Sequence, residues 1–105
     1  VQVRIIPADA NVGSVAELRC QVFGYPFPTD VAWTDHTGRA IDTYRDSRFE
    51  ESTVEGADSV MNVLRITDVR RGDFHEYNCT ARNQYGVDSG VITLRQLGKE
   101  KVGAS

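Results

Sequence analysis

The sequence predicts an all-β fold, two sheets packed face to face around one core, and three observations carry that prediction. The stretch Ala16-Glu-Leu18-Arg-Cys20-Gln-Val22 alternates apolar or small residues with polar ones, the period of a strand with one buried face. Tyr77 precedes Cys79 by two, so on a strand both side chains point to the same face and enter the same core. The only two cysteines, Cys20 and Cys79, lie 59 positions apart, and the only tryptophan, Trp33, follows the first by 13.

Each element has its own signal. Residues 1–6 alternate Val1, Val3 and Ile5 against Gln2, Arg4 and Ile6, and then Pro7 interrupts. Proline removes a ladder donor, which suits a first strand that leaves one sheet and joins the other. A second strand runs over about 15–23, and residues 25–30, Tyr-Pro-Phe-Pro-Thr-Asp, form the turn after it. Val31 and Trp33 are the inward pair of the next strand. Residues 35–38, Asp-His-Thr-Gly, turn the chain through their Asp and Gly, and a short strand follows at 39–41. Further strands are expected at 48–50 and at 60–67, the latter with Leu64 and Ile66 inward. Residues 70–73 make a corner before a strand that runs to about Arg82. Asn83-Gln-Tyr-Gly86 reads as a hairpin turn with glycine where a positive φ is cheap. The last strand reaches about Leu97, with Ile92 and Leu94 inward.

Length and composition bound the function. With 105 residues there is room for one domain, expected over 1–97. Residues 98–105 lose the alternation and read as a linker or tail. A net charge of -3 with both signs interspersed lacks the clustered basic face of a nucleic-acid binder. No stretch approaches the roughly 18 apolar residues of a membrane span. The chain starts at Val1 directly on a strand pattern, so it reads as a segment of a longer protein, tied to a membrane only through that parent.

The run Leu64-x-Ile66-x-x-Val69-x-x-x-Asp73-x-His75-x-Tyr77-x-Cys79-x-Ala81-x-Asn83-x-x-Gly86 and the earlier Gly13-x-x-Ala16-x-Leu18-x-Cys20-x-Val22-x-Gly24-x-Pro26 resemble the I-set of the immunoglobulin superfamily over residues 1 to about 97. That resemblance implies an immunoglobulin-like Greek-key sandwich with Cys20 and Cys79 disulfide-bonded across the sheets, beside a core containing Trp33, Tyr77 and Leu64. The 31 positions from Trp33 to Leu64 fit the intermediate strand set of the I-set. It also implies that Asp73 is the corner aspartate, ion-paired with Arg48. His75 departs from the pattern, where the family usually has Gly or Ala, and puts the corner packing in question. The segment Asp73-Phe-His-Glu-Tyr-Asn-Cys-Thr80 followed by Val91-Ile-Thr-Leu is similar to membrane-proximal domains of nephrin and irregular-chiasm type adhesion receptors.

The function so implied is that of an extracellular domain of a cell-adhesion or receptor protein, binding a protein partner, homophilic or heterophilic, or spacing neighbouring immunoglobulin-like domains. Disulfides persist in that compartment. The alternative is a structural I-set domain of a cytoskeletal or muscle giant protein, where the same cysteines stay reduced.

Each candidate site has a plainer structural role beside it. Arg71-Gly72-Asp73 spells an integrin-recognition tripeptide, but an aspartate engaged by Arg48 cannot also reach a receptor's metal. Asn78-Cys79-Thr80 is an acceptor sequon, so Asn78 is a possible glycosylation site. His36 and His75 are the only histidines, too few for a zinc site, and Glu50, Glu51, Glu55 and Asp58 lack the spacing of a calcium loop. No cofactor or metal is expected. The serines show no nucleophile elbow or triad setting, so no catalysis is expected. Phe23, Tyr25 and Phe27 are either an aromatic binding hot spot at the end of the sandwich or, the plainer role, a cap on that end or packing against a neighbouring domain. The expected partner face is the outward side of the strands bearing Thr34, Thr80, Arg82, Val91 and Thr93, since inward Tyr77, Cys79 and Ala81 force their neighbours outward.

Overall fold

The alternation seen along the chain becomes eight strands in a computed structural model that describes residues 1–24 and 30–97. In chain order they are β1 (Gln2–Ile6), β2 (Ala8–Ala10), β3 (Ala16–Phe23), β4 (Asp30–Thr34), β5 (Phe49–Glu55), β6 (Ser59–Ile66), β7 (Glu76–Asn83) and β8 (Gly86–Gln96). One sheet has the order β1-β3-β6-β5 and the other β2-β8-β7-β4. The chain changes sheets at Pro7: β1 pairs antiparallel with β3, and β2 pairs parallel with β8. The expected turn at 25–30 and the aromatics Tyr25 and Phe27 lie outside the described residues apart from Asp30, as does the segment 98–105.

Strand β3 buries Ala16, Leu18, Cys20 and Val22, every second residue. Leu64 and Ile66 of β6 lie beside them in the same sheet, and Tyr77, Cys79 and Ala81 of β7 with Ile92 and Leu94 of β8 face them across the sandwich. Burying such side chains stabilises the fold by roughly 1.5 to 3 kcal/mol each. Cys20 and Cys79 are disulfide-bonded through this core, with Cα atoms 6.4 Å apart, and Trp33 lies directly opposite Cys79 on β4.

Three local expectations need correction. The short strand at 39–41 contracts to a single bridge between Thr34 and Ala40. Past it, the Asp42 carboxylate accepts the Tyr44 and Arg45 N–H groups at 3.0 and 3.1 Å, so the chain turns at 43–45 and the pairing with β4 goes no further. The strand at 48–50 is instead the seven-residue β5, paired with β6 along its whole length. It is an edge strand, exposed after Phe49, so hydrophobic alternation could not mark its extent. At the β7–β8 hairpin, Gly86 does not supply a positive φ. The Asn83 side-chain oxygen accepts the N–H groups of Tyr85 and Gly86 at 2.9 and 3.1 Å, and that carboxamide sets the turn.

Two contacts close the sandwich along β1. The Asp88 carboxylate of β8 accepts the Val3 N–H of β1 at 2.8 Å, linking one sheet's edge to the other sheet. Beside it, Gly90 leaves the space that Ile5 fills, since a Cβ on Gly90 would lie 2.5 Å from Ile5 Cγ2.

Candidate protein-binding face and the corner beneath it

Inward and outward sides of β7 are set by the core. Tyr77, Cys79, Ala81 and Asn83 are buried, while Glu76 and Arg82 are exposed and Asn78 and Thr80 are half-buried. The ladder carries this split to both neighbours. Thr34 and Val91 flank Asn78, Ala32 and Ser89 flank Thr80, Asp30 and Val87 flank Arg82, and Thr93 lies beside Glu76. Of the side chains expected on the partner face, Thr34 and Thr80 are half-buried, and Arg82, Val91 and Thr93 are exposed. Val87, 57% exposed, and Val91, 46%, are the apolar members of a face otherwise made of small and polar groups. Sequence reasoning missed Val87, Ser89 and Glu76 as part of it. The period of two along β8 and β7 carries the signal for all three.

The corner below is built from residues far apart in sequence. Arg48 Nη1 donates to Asp73 Oδ2 at 2.7 Å and Nη2 donates to Oδ1 at 3.3 Å. Nη1 also donates to the Asp68 carbonyl at 3.2 Å, and Asp68 itself adopts a left-handed φ of 49°. Aspartate tolerates that region better than most residues. The Arg70 N–H donates to Asp73 Oδ2 at 2.8 Å, and the Tyr77 hydroxyl donates to the Asp73 carbonyl at 2.7 Å.

Burial pushes the Asp73 carboxyl upward, but the hydrogen bonds from Arg48 and the Arg70 N–H, with the Arg48 charge, outweigh it and hold its pKa below the ordinary value. The bond to Asp73 in turn raises the Arg48 pKa. Burial raises the Tyr77 phenol, so it stays a donor. Arg71-Gly72-Asp73 forms one turn of 3₁₀ helix with Asp73 only 7% exposed, so its carboxylate is turned into the fold rather than toward a receptor.

His75 is accommodated by tilted ring contacts. Its ring lies 4.2 Å from the Tyr77 ring and 4.3 Å from the His36 ring, centroid to centroid, so the larger side chain joins the corner to the turn after β4. In that turn Asp35 accepts the Thr37 hydroxyl at 2.6 Å and the N–H groups of Thr37 and Arg39 at 2.8 and 3.0 Å. The Thr37 bond leads in holding the Asp35 pKa down. Among the described residues no group of three or more His, Cys, Asp or Glu side chains is arranged to hold a metal ion.

The polar residue that sequence reasoning overlooked in the core is Asn62, which faces inward on β6 between Val60 and Leu64 and accepts the Thr53 hydroxyl at 3.1 Å.

A profile of the immunoglobulin domain matches residues 2–83. The mouse protein Kin of IRRE-like protein 3 is 32% identical over 89 residues, which is 84% of this chain and 11% of that protein. Bovine neural cell adhesion molecule 1 is 36% identical over 100 residues, 93% of this chain and 11% of its own length. The chain thus spans about a ninth of each of these relatives. Among solved structures, the complex of Dpr2 Ig1-Ig2 with DIP-Theta Ig1-Ig3 contains a chain matched with a TM-score of 0.80 at 26% identity, over 91% of this chain and 32% of that one. Titin domains A168-A170 match with a TM-score of 0.76 at 26% identity, over 90% of this chain and 30% of that one. With the inter-sheet disulfide, the buried tryptophan and the tyrosine corner in place, the chain belongs to the immunoglobulin-domain family.

Proposed function

We propose that this chain is an extracellular immunoglobulin-like domain of a cell-adhesion or receptor protein, and that it binds a protein partner through the outward face of β4, β7 and β8. The supporting observation is that face itself: a sheet surface with Val87 and Val91 exposed among Thr34, Thr80 and Thr93, and an arginine, Arg82, at one end. Interfaces of this kind place an apolar centre within a polar rim. The likeness to an adhesion molecule and the disulfide between Cys20 and Cys79 support a cell-surface address. The domain works by contact and not by catalysis, and its neighbours in the parent are further immunoglobulin-like domains.

Asn78 bears on the same face. Its backbone is held between Thr34 and Val91, so a glycan on its side chain would stand over the centre of the proposed contact. Unglycosylated Asn78 is therefore a condition of binding. The test compares Arg82→Glu with Arg65→Glu, which lies exposed on the opposite sheet. Loss of partner binding with the first and not the second is expected; equal loss, or none from Arg82→Glu in a chain shown to bind, rejects the face.

A second reading has one observation in its favour, the likeness to titin domains: a structural domain of a cytoskeletal giant protein. There the cysteines would be recovered as thiols from protein in its native compartment.

A further inference from the structure

The outward side chains of β7 read, in order, Glu76, Asn78, Thr80, Arg82, and this order is complementary to its own reverse. We infer that the partner of the face proposed above is a second copy of this chain, docked face to face and antiparallel about a two-fold axis passing over Cys79. The inference rests on that face being the binding surface.

Turning one copy about an axis in the plane of the face and perpendicular to β7 lays β7 on β7 and β8 on β8 with directions reversed. Arg82 of one copy then meets Glu76 of the other, twice. Asn78 meets Thr80, an amide against a hydroxyl. On β8, Val91 lies level with Asn78 and Ser89 level with Thr80, so the apolar side chain of one copy seats on the small one of the other. Val87 likewise comes over Thr93. Two-fold interfaces need such self-complementarity, because each residue must suit the partner its symmetry mate presents.

Charge selects this orientation over the parallel one. Glu76 and Arg82 stand about 20 Å apart at roughly 3.3 Å per residue, so each end of the strand carries a distinct sign. A parallel arrangement would set Arg82 on Arg82 and Glu76 on Glu76, and juxtaposed like charges exclude wrong docking modes. Among the described residues neither Arg82 nor Glu76 is in an ion pair. Asp30, directly across from Arg82 on β4, adds carboxylate to the Arg82 end and softens the contrast without reversing it at the β7 ridge.

The size of the face sets the strength. The three strands of the face, about 4.8 Å apart and about eight residues long on average, cover roughly 380 Å², short of the roughly 800 Å² per partner of a standard stable complex. Association of single domains is therefore weak, and arrays of parent molecules would strengthen it through multivalency.

The test uses the oxidised, unglycosylated 105-residue chain in sedimentation equilibrium up to about 1 mM, a concentration matched to weak interfaces. Concentration-dependent dimerisation is expected, weakened by at least about tenfold in Arg82→Glu alone and in Glu76→Arg alone, each of which sets like charge on like charge twice. Combining both substitutions in one chain restores the dimer. Mixing the two single variants gives a heterodimer, which also keeps the test sound should the combined variant misfold. A chain that stays monomeric throughout the range, or charge-swapped combinations that associate no better than the single variants, overturns the two-fold. Binding of a different protein that is lost in Arg82→Glu, with this chain monomeric, overturns the two-fold while leaving the face as the binding surface.

Discussion

Arg48 and Asp73, 25 residues apart in sequence, meet through two parallel hydrogen bonds of 2.7 and 3.3 Å at the corner where the chain enters β7. Their side chains are 16% and 10% exposed, so the pair is largely withdrawn from water. A planar guanidinium matched to a carboxylate fixes geometry as well as charge. The same aspartate holds the Arg70 N–H with its side chain and the Tyr77 hydroxyl with its carbonyl, so one residue fastens the corner from three directions.

Asp73→Ala is predicted to destabilise the domain by about 1 to 3 kcal/mol, because it removes the shorter-bonded counter-charge of the largely buried Arg48 and leaves it only the more exposed Asp46 carboxylate, 3.2 Å from Nη2. Arg71→Ala, at an exposed position of the same tripeptide, should stay within about 0.5 kcal/mol of wild type. Urea unfolding of the two variants is the measurement. Comparable losses from both would remove the corner pair as the reason for the aspartate.

The depressed pKa of Asp73 carries a pH signature. A carboxyl held below its ordinary 3.8 binds its proton more weakly folded than unfolded, so its stabilisation is complete above that value and is lost as pH falls through the lower folded pKa. Asp73→Asn is isosteric but has no acidic proton to lose. Its stability deficit relative to wild type should therefore be constant near neutrality and shrink below about pH 4, where aspartate begins to protonate. A deficit unchanged down to pH 2 in denaturant titrations would contradict the assignment.

Reduction of the Cys20–Cys79 bond should lower stability by about 4 kcal/mol, the chain-entropy value for a loop of roughly 60 residues. Comparing denaturation midpoints of oxidised and reduced chain gives the magnitude. Mass measurement after non-reducing alkylation of protein from its native compartment decides the address, with two alkylated thiols counting against the extracellular reading.

Tyr77→Phe keeps the buried ring and deletes only the hydroxyl that reaches the Asp73 carbonyl. Loss of a buried hydrogen bond, leaving its acceptor unmet, is expected to cost about 1 to 3 kcal/mol. An unchanged thermal midpoint would show that the corner holds without it.

Gly90→Ala is predicted to destabilise by about 1 to 3 kcal/mol through overpacking, since its Cβ would collide with Ile5 Cγ2. Ile5→Ala costs stability by itself but should relieve the clash, so the double variant should lose less than the sum of the two. Strict additivity in a double-mutant cycle would place the cost elsewhere.

The sequence by itself determined the sandwich, because period-2 alternation around Cys20, Leu64 and Tyr77 needs only the local rule that neighbouring side chains on a strand point to opposite sides. That rule also separated outward Asn78, Thr80 and Arg82 from the core before any contact was known. It was silent where burial is absent or where side chains compete with the backbone. The polar edge strand β5 is longer than alternation marks, the pairing at 39–41 ends at the turn that Asp42 holds, and the hairpin after β7 is shaped by Asn83 in place of Gly86. Only the tertiary structure decided register: which residue stands beside which across β4, β7 and β8, how His75 finds room against His36 and Tyr77, and that Glu76 and Arg82 end one continuous surface. The physical reason is range. Alternation is a property of adjacent residues, whereas register and corner contacts join residues tens of positions apart through pairings that no local pattern records.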